Sequence, residues 1–294
     1  MCSSDLRCSI CSFLRSHKHT VLFFRYPTFF RRGGPVHPVQ NSYGAGKIGI
    51  DAGHRSEERR VGFLFDPSLT GPDDRIFPTK EILSSFSSLY VFISHHHEDH
   101  FDPSIYDICP SDAHFFLGYD ISDEYKGIKM KPGDEIKEEN ITVRACGSTD
   151  DGVSYLIHYK GLSIFHAGDL NLWHWRDEST ISEIEAAEKS FYDCVSNIPK
   201  TKIDISFFPV DPRQGNMYEA GASYFIMTVK PLFMIPMHFQ GRADVASRFS
   251  FSYENSVTRI PVLSFPGDKI DISIPEDEES DPQKKLIDFI NENP

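Results

Sequence analysis

A dense cluster of metal-binding residue types follows a short apolar segment, and this combination constrains the fold of the chain more than any other feature. Leu89–Ile93 is apolar or aromatic throughout and predicts a buried strand. The segment that follows, Ser94–His100, contains four histidines, one glutamate and one aspartate. Side chains two residues apart on an extended chain point the same way, so His95 and His97 should project to one side. Imidazole and carboxylate are ligands of zinc, iron and manganese, so the cluster predicts a metal site at a strand end.

The other residues of the cluster are assigned by their position. Asp99 and His100 lie where the chain must leave the sheet, in a loop that can turn them toward the first two ligands. His96 and Glu98 alternate with the ligands and should face away. The alternative interpretation is a solvated, histidine-rich loop.

Strand and helix patterns alternate along the chain from Val61 onward. Val153–Ile157 and Leu162–Phe165 flank a Lys-Gly turn and predict a β-hairpin. Thr180 and Glu183 have the spacing of a capping box, which predicts a helix running to about Val195. Further strands are predicted at Val61–Phe65, Ala113–Leu117, Ile141–Ala145, Ile203–Phe208, Leu232–Ile235, Val262–Phe265 and Ile270–Ile274, and further helices at Lys80–Phe86, Glu219–Val229, Ala243–Arg248 and Gln283–Ile290. This order, without an obvious linker, favours one layered domain of the α/β (α+β) class.

The two ends of the chain differ from this body. Residues 1–62 show no sustained helix or strand period and carry a net charge of +6, whereas the remainder carries −19. Arg55–Gly62 and Met1–Leu6 resemble the translation of sequencing-adapter DNA, so this segment is interpreted either as an assembly artefact or as a basic arm. The predicted organisation is a segment outside the fold at 1–62, one domain at 63–275, and an acidic tail with a short helix at 276–294.

The order of the candidate ligands resembles that of the metallo-β-lactamase superfamily. In that family a histidine cluster after an early strand is followed by an aspartate after a hairpin, and later by a histidine at a strand end. Here Asp169 follows the predicted hairpin and His238 follows the strand Leu232–Ile235, so the likeness covers roughly residues 61–275. The resemblance implies a single-domain, four-layer αββα sandwich with a metal centre at one edge of the sheets.

Carried over by position, the resemblance implies two metal positions. His95 and His97 would bind one ion, Asp169 would bridge to a second, and the second would also be held by Asp99, His100 and His238. The implied cofactor is Zn²⁺, with Mn²⁺ and Fe²⁺ as alternatives, at one or two ions per chain.

The chain departs from the family at one ligand position. The family usually places a third histidine shortly before the hairpin, where this chain has Cys146–Gly152 and no histidine. Asp150 is the best substitute because a carboxylate can complete the coordination of zinc or manganese, and Asp151 is the next. Cys146 would supply a thiolate instead. If Ser148–Gly152 is merely a turn, the first position is weak and the enzyme works with one ion.

Catalytic roles follow from the same resemblance. Asp99 would orient the attacking hydroxide while it binds the metal. His174 or His166 would protonate the leaving group; the alternative for His166 is a structural role.

Three further residues are candidates for substrate binding. Trp173 would hold the substrate, or it would belong to a packed aromatic corner. Arg213 would clamp an anionic substrate or pair with Asp211, and Arg242, four residues after His238, is similarly placed.

The implied function is a metal-dependent hydrolase that acts on an ester-type bond of a small metabolite. The most similar branch of the superfamily contains L-ascorbate-6-phosphate lactonase, and both a lactone and a phosphoester are open as substrates. The alternatives are a nuclease resembling ribonuclease Z and a non-catalytic metal-binding protein. A charge of −19 outside residues 1–62 repels a phosphate backbone and argues against nucleic acid as a partner.

Composition indicates the compartment. No apolar run approaches the roughly 18 residues that span a bilayer. The six cysteines, without a recognisable secretory signal, are typical of reduced thiols. We therefore expect a cytoplasmic protein with a small-molecule substrate and no membrane contact; the oligomeric state stays open.

Overall fold

A computed structural model describes residues 16–24, 47–51, 60–67, 78–173, 175, 178–254, 256–263 and 268–275. The predicted helix at Gln283–Ile290, the acidic tail and His174, one of the two predicted proton donors, lie outside these ranges. The described residues form two β-sheets and five α-helices.

The first sheet has seven strands. They are β1 (Ser16–Phe24), β2 (Lys47–Asp51), β3 (Val61–Phe65), β4 (Ser88–Ile93), β5 (His114–Gly118), β6 (Ile128–Met130) and β13 (Lys269–Pro275). Their order is β13-β1-β2-β3-β4-β5-β6. From β3 to β6 the strands are parallel, and from β13 to β3 they are antiparallel.

The second sheet has six strands. They are β7 (Glu135–Lys137), β8 (Ile141–Cys146), β9 (Ser154–Tyr159), β10 (Leu162–His166), β11 (Ile205–Pro209) and β12 (Phe233–Met237), in the order β12-β11-β10-β9-β8-β7. β10, β11 and β12 are parallel to one another, and the remaining pairs are antiparallel.

Alternate side chains of each strand point to opposite faces, so each sheet has one face that can turn inward. The two inner faces are apolar and pack against each other. Phe65 of β3 packs on Phe207 of β11, with ring centroids 5.3 Å apart. Phe92 of β4 meets Tyr155 of β9 at 5.4 Å. Leu64, between two inward-facing phenylalanines, belongs instead to a separate apolar cluster on the other face of the first sheet.

Helices cover the outer faces of both sheets. They are α1 (Lys80–Ser84), α2 (Ile105–Ile108), α3 (Ile181–Ser196), α4 (Ala220–Val229) and α5 (Ala243–Ser252). Leu83 of α1 and Ile105 of α2 complete the apolar cluster outside the first sheet. Phe191 of α3 and Phe225 of α4 pack on Phe208 of the second sheet. The predicted four-layer αββα sandwich is confirmed.

Most predicted elements agree with the structure, and the capping box of α3 is present, with Thr180 and Glu183 bonding each other's backbone N–H groups. Residues 1–62 show no sustained strand period in the sequence, yet Ser16–Phe24 and Lys47–Asp51 are strands that join the first sheet between β13 and β3. The strand predicted at Val262–Phe265 is wrong for its described residues, since 262 and 263 have no strand pairing. None of the described helices is long and apolar enough to cross a bilayer.

Candidate metal centre

The candidate ligands meet where strands of both sheets end. His95 follows β4, Asp169 follows β10 and His238 follows β12, each beyond the carboxyl end of its strand. Three groups of three have ligand atoms within 4.8 Å of one another. The first position comprises His95, His97 and Asp169, and the second position comprises Asp99, His100 and His238. The third group, His96, His97 and Asp151, shares His97 with the first position and is more exposed. The structure thus brings together six of the predicted ligands.

Asp169 lies between the two positions. Its Oδ1 is 3.0 Å from Nε2 of His100 and 3.1 Å from Nε2 of His238. Its Oδ2 is 3.7 Å from Nε2 of His95. The two Nε2 atoms of the second position are themselves 3.4 Å apart. One carboxylate therefore contacts imidazoles of both positions.

Buried carboxylates hold the far side of each second-position imidazole. His238 Nδ1 is 3.0 Å from Asp211 Oδ2, and His100 Nδ1 is 2.8 Å from Asp66 Oδ2. Because an ionised carboxylate only accepts hydrogen bonds, each Nδ1 carries the proton and donates it. In the neutral imidazole, the form that binds a metal, each Nε2 then has a lone pair that points at Asp169 and its surroundings. Such partners fix the tautomer and orientation of metal-binding histidines.

A serine performs the same task for His95. The Ser94 hydroxyl donates to Asp66 Oδ2 at 2.9 Å, so its only proton is used there. It therefore accepts from His95 Nδ1, which lies 2.8 Å away. His95 Nε2 therefore carries no proton and presents its lone pair, 3.0 Å from Nδ1 of His97. Asp66 thus supports ligands of both positions.

The charges of the cluster shift its pKa values strongly. Burial disfavours the charged form of His238, but the Asp169 carboxylate outweighs it and raises the pKa of His238 to about 9. The pKa of His100 is raised well above its usual value for the same reasons. Burial, with help from the neighbouring His100, lowers the pKa of His95 to about 3. Although burial opposes it, the two histidines at the second position hold the pKa of Asp169 well below its usual range.

This donor set fits a divalent transition-metal ion. Asp169 Oδ1 is buried and lies 3.0 and 3.1 Å from Nε2 of His100 and His238. When these imidazoles are neutral, with their only proton on Nδ1, Asp169 Oδ1 and the two Nε2 lone pairs have no donor among the described residues. A shared cation satisfies all three atoms at once, and imidazole with carboxylate suits zinc, manganese or iron.

The first position is more open. Asp151 Oδ2 lies 3.5 Å from Nε2 of His97, and its side chain is 54% exposed. Asp150, the preferred substitute for the missing histidine, is in neither ligand group, although it lines the cleft above them. Burial and the Asp169 carboxylate raise the pKa of Asp150. Its role as a ligand stays a prediction.

Close backbone packing holds the loop that carries these aspartates. Gly152 has φ +72°, and a Cβ there would lie 2.0 Å from the Ser94 carbonyl oxygen and 2.6 Å from His95 Cβ. Only glycine fits both this left-handed conformation and this approach. The loop is therefore seated directly on the residue pair that begins the cluster.

Two other ligand-region residues have strained backbones. Asp66 and His238 are not glycines, yet have φ values of 43° and 62°. Left-handed conformations of this kind are concentrated at functional sites, where the surrounding structure enforces them.

A cleft of about 890 Å³ opens over the ligands. Its described lining residues are His97, Glu98, Asp99, Thr149, Asp150, Asp169, Trp173, Trp175, Arg213 and His238. Small-molecule sites have volumes of this order. The cleft therefore has room for a metabolite next to the metal positions.

Several predicted catalytic and substrate-binding residues lie elsewhere or are already paired. His166 is buried, with Nε2 2.6 Å from Asp66 Oδ2, and it does not line the cleft, so it has no direct path to a substrate. Arg242 is exposed and pairs with Asp244, also outside the cleft. Both assignments are therefore corrected: His166 is part of the support for the ligands, and Arg242 is a surface residue.

Arg213 and Trp173 do reach the cleft. Arg213 donates to both carboxylate oxygens of Asp211, as the predicted alternative to an anion clamp requires. Trp173 donates from Nε1 to the Asp169 carbonyl at 2.9 Å, and its ring is 5.8 Å from that of His238.

Sequence reasoning missed one residue of the site and misplaced another. Asp66 was not proposed, although a carboxylate directly after the buried strand Val61–Phe65 was a usable signal. Glu98 was expected to face away but lines the cleft. The backbone N–H groups of His100 and Phe101 both bond the His97 carbonyl, so the chain turns here and strand alternation no longer applies.

Comparison with solved structures identifies the fold. The crystal structure of "a possible metal-dependent hydrolase" from Veillonella parvula matches with a TM-score of 0.51 at 13% identity, covering 78% of this chain and 96% of that chain. A metallo-β-lactamase fold protein from Bacillus subtilis matches with a TM-score of 0.47 at 11% identity, covering 87% and 100%. No family model and no curated protein matches the sequence. The match to the Veillonella parvula structure, together with the layer order, shows the fold, a four-layer αββα sandwich.

Proposed function

We propose that this protein is a metal-dependent hydrolase that cleaves an ester-type bond of a small metabolite, with lactones and phosphoesters as candidate substrates. The observation that carries the proposal is the convergence of the Nε2 atoms of His95, His100 and His238 on the carboxylate of Asp169 beneath an open cleft. The description of the Veillonella parvula protein as a possible metal-dependent hydrolase accords with it.

One ion would be held at the first position and one at the second, and Asp169 would contribute to both. The second position is the more complete, since its imidazoles are buried and each is held by a buried carboxylate. Zn²⁺, Mn²⁺ and Fe²⁺ all suit this mixture of imidazole and carboxylate.

The protein residues supply orientation and shape. A bound ion of this kind lowers the pKa of its water from 15.7 to about 7, which provides hydroxide at neutral pH. Asp99 Oδ2 is 3.8 Å from Nε2 of His100 and 3.9 Å from Nε2 of His238, and it faces the cleft. Its carboxylate accepts a hydrogen bond from the attacking water and thereby orients it. The proton donor to the leaving group stays a prediction for His174.

Metal analysis followed by turnover tests the proposal. We expect one or two transition-metal ions per chain, and hydrolysis of lactone or phosphodiester substrates that stops in chelator and returns with Zn²⁺ or Mn²⁺. Asp99→Asn should lose turnover and weaken metal binding at the second position while the first position keeps its ion, whereas the surface variant Asp244→Asn should keep both metal and turnover. A fully metal-loaded protein without turnover over a broad substrate panel would instead favour the non-catalytic metal binder.

A further inference from the structure

Both tryptophans of the chain lie in the cleft. Trp173 and Trp175 are the only two in the sequence, and both line the cleft. Their ring planes are 6° from parallel, with centroids 6.1 Å apart. The bond from Trp173 Nε1 to the Asp169 carbonyl holds this aromatic pair against the metal ligands. A substrate bound at the metal positions therefore lies beside two parallel indoles.

The charges around this aromatic pair are unsuited to an anion. Arg213 is the only lysine or arginine among the described lining residues, and it uses Nε and Nη2 on the buried Asp211 carboxylate. Glu98 is exposed, lines the cleft and has no hydrogen bond or ion pair within the described part of the chain. The described lining of the cleft thus includes one unpaired carboxylate, that of Glu98, and two indole rings, while its single guanidinium is largely neutralised.

We propose that the aromatic pair and Glu98 form a subsite for a cationic organic group of the substrate, such as a quaternary or protonated amine. Indole faces attract such cations, most strongly among the aromatic side chains. An uncommitted carboxylate adds charge complementarity, which improves selectivity for a positively charged ligand. This inference rests on the proposed hydrolase function and narrows its substrate class. It departs from the expectation that Arg213 clamps an anionic substrate.

The two tryptophans also provide the measurement. Since the chain has no others, intrinsic tryptophan fluorescence reports on this cleft alone. We would titrate metal-free and metal-loaded protein with three probes of similar shape: choline, the neutral 3,3-dimethylbutan-1-ol and the anionic 3,3-dimethylbutanoate. Choline should change the fluorescence and bind about tenfold more tightly than the neutral probe.

Variants separate charge from shape. Glu98→Gln should remove most of the preference for choline, while Glu185→Gln, an exposed glutamate of α3 outside the cleft, should retain it. Trp175→Phe should weaken choline binding and leave Trp173 as the reporter. Equal binding of the neutral probe, absence of any choline response, or an unchanged preference in Glu98→Gln would each overturn the subsite.

The outcome is distinguishable from failure of the hydrolase proposal. Probe binding is measured without turnover, so choline selectivity in a protein that hydrolyses nothing would remove the hydrolase and keep the subsite. Metal-dependent turnover without choline selectivity would support the hydrolase and rule out the subsite.

Discussion

The two positions of the metal centre share Asp169 but differ in how the protein holds their remaining ligands. At the second position, His100 and His238 are buried and each donates to a buried carboxylate. At the first position, His95 is held through a serine hydroxyl, and His97 faces the exposed Asp151 at 3.5 Å. Ligands fixed before binding lose less freedom on binding, so the second position should bind its ion more tightly.

We expect the largest effect when the charge of Asp169, the residue common to both positions, is removed. Asp169→Asn keeps the shape of the side chain but removes its charge, and with it the attraction for a cation at either position. We expect metal loss from both positions and a fall in turnover that exceeds 100-fold, more than a supporting residue contributes. Metal content by mass spectrometry of the intact protein checks this. Retention of both ions in the variant would show that Asp169 is not shared.

The next variant tests the second position alone. Asp211→Asn leaves His238 in place but removes the carboxylate that holds its Nδ1–H. Metal affinity at the second position should fall by about 10- to 100-fold, with the first position unaffected. Competition titration with a metal indicator measures the two affinities separately, with Asp244→Asn as the matched surface control. An equal fall at both positions would contradict the comparison.

A pH titration separates the positions without a mutation. The pKa of His238 is raised to about 9, so this imidazole is protonated at neutral pH in the metal-free protein and must lose its proton to bind a metal. Loss of the His238 proton alone should therefore raise the apparent affinity at the second position by up to about tenfold per pH unit until about pH 9, and His100, whose pKa is also raised, adds to this dependence. The pKa of His95 is lowered to about 3, so His95 releases no proton above neutral pH.

Calorimetry in buffers with different ionisation enthalpies measures these protons directly. Second-position binding should release protons at pH 7. Metal binding at the second position that is independent of pH between 7 and 9 would rule out this account.

We expect the smallest effects for Asp150 and Asp151, the two aspartates next to the first position. Asp151→Asn should lower the metal affinity of the first position only a few-fold, because Asp151 is exposed and solvent screens its charge. This loss is smaller than the one expected at the second position for Asp211→Asn. Asp150→Ala reports on the predicted replacement for the missing histidine. An unchanged number of ions in Asp150→Ala removes this residue from the ligand set, whereas loss of one ion establishes it.

Local pattern predicted much of this molecule. Strand β4, the hairpin of β9 and β10, and the capped helix α3 follow from periodicity and capping within short windows of sequence. His95 and His97 were proposed because they follow such a strand, whereas Asp169 and His238 were assigned through the resemblance to the metallo-β-lactamase superfamily. The short strand β6 and the strands β1 and β2 have no comparable local signal, because their pairing partners supply most of their stability.

The sequence by itself determined which residues have the chemistry of a metal ligand and which strands deliver them, since both depend on residue type and on neighbours a few positions away. Only the tertiary structure decided which nitrogen of each histidine is free. That choice depends on Asp66 and Asp211, and Asp66 contacts a histidine 100 residues further along the chain. It also decided that Glu98 faces the cleft and His166 does not, because a turn after β4 and a buried hydrogen bond override strand alternation and proximity in sequence.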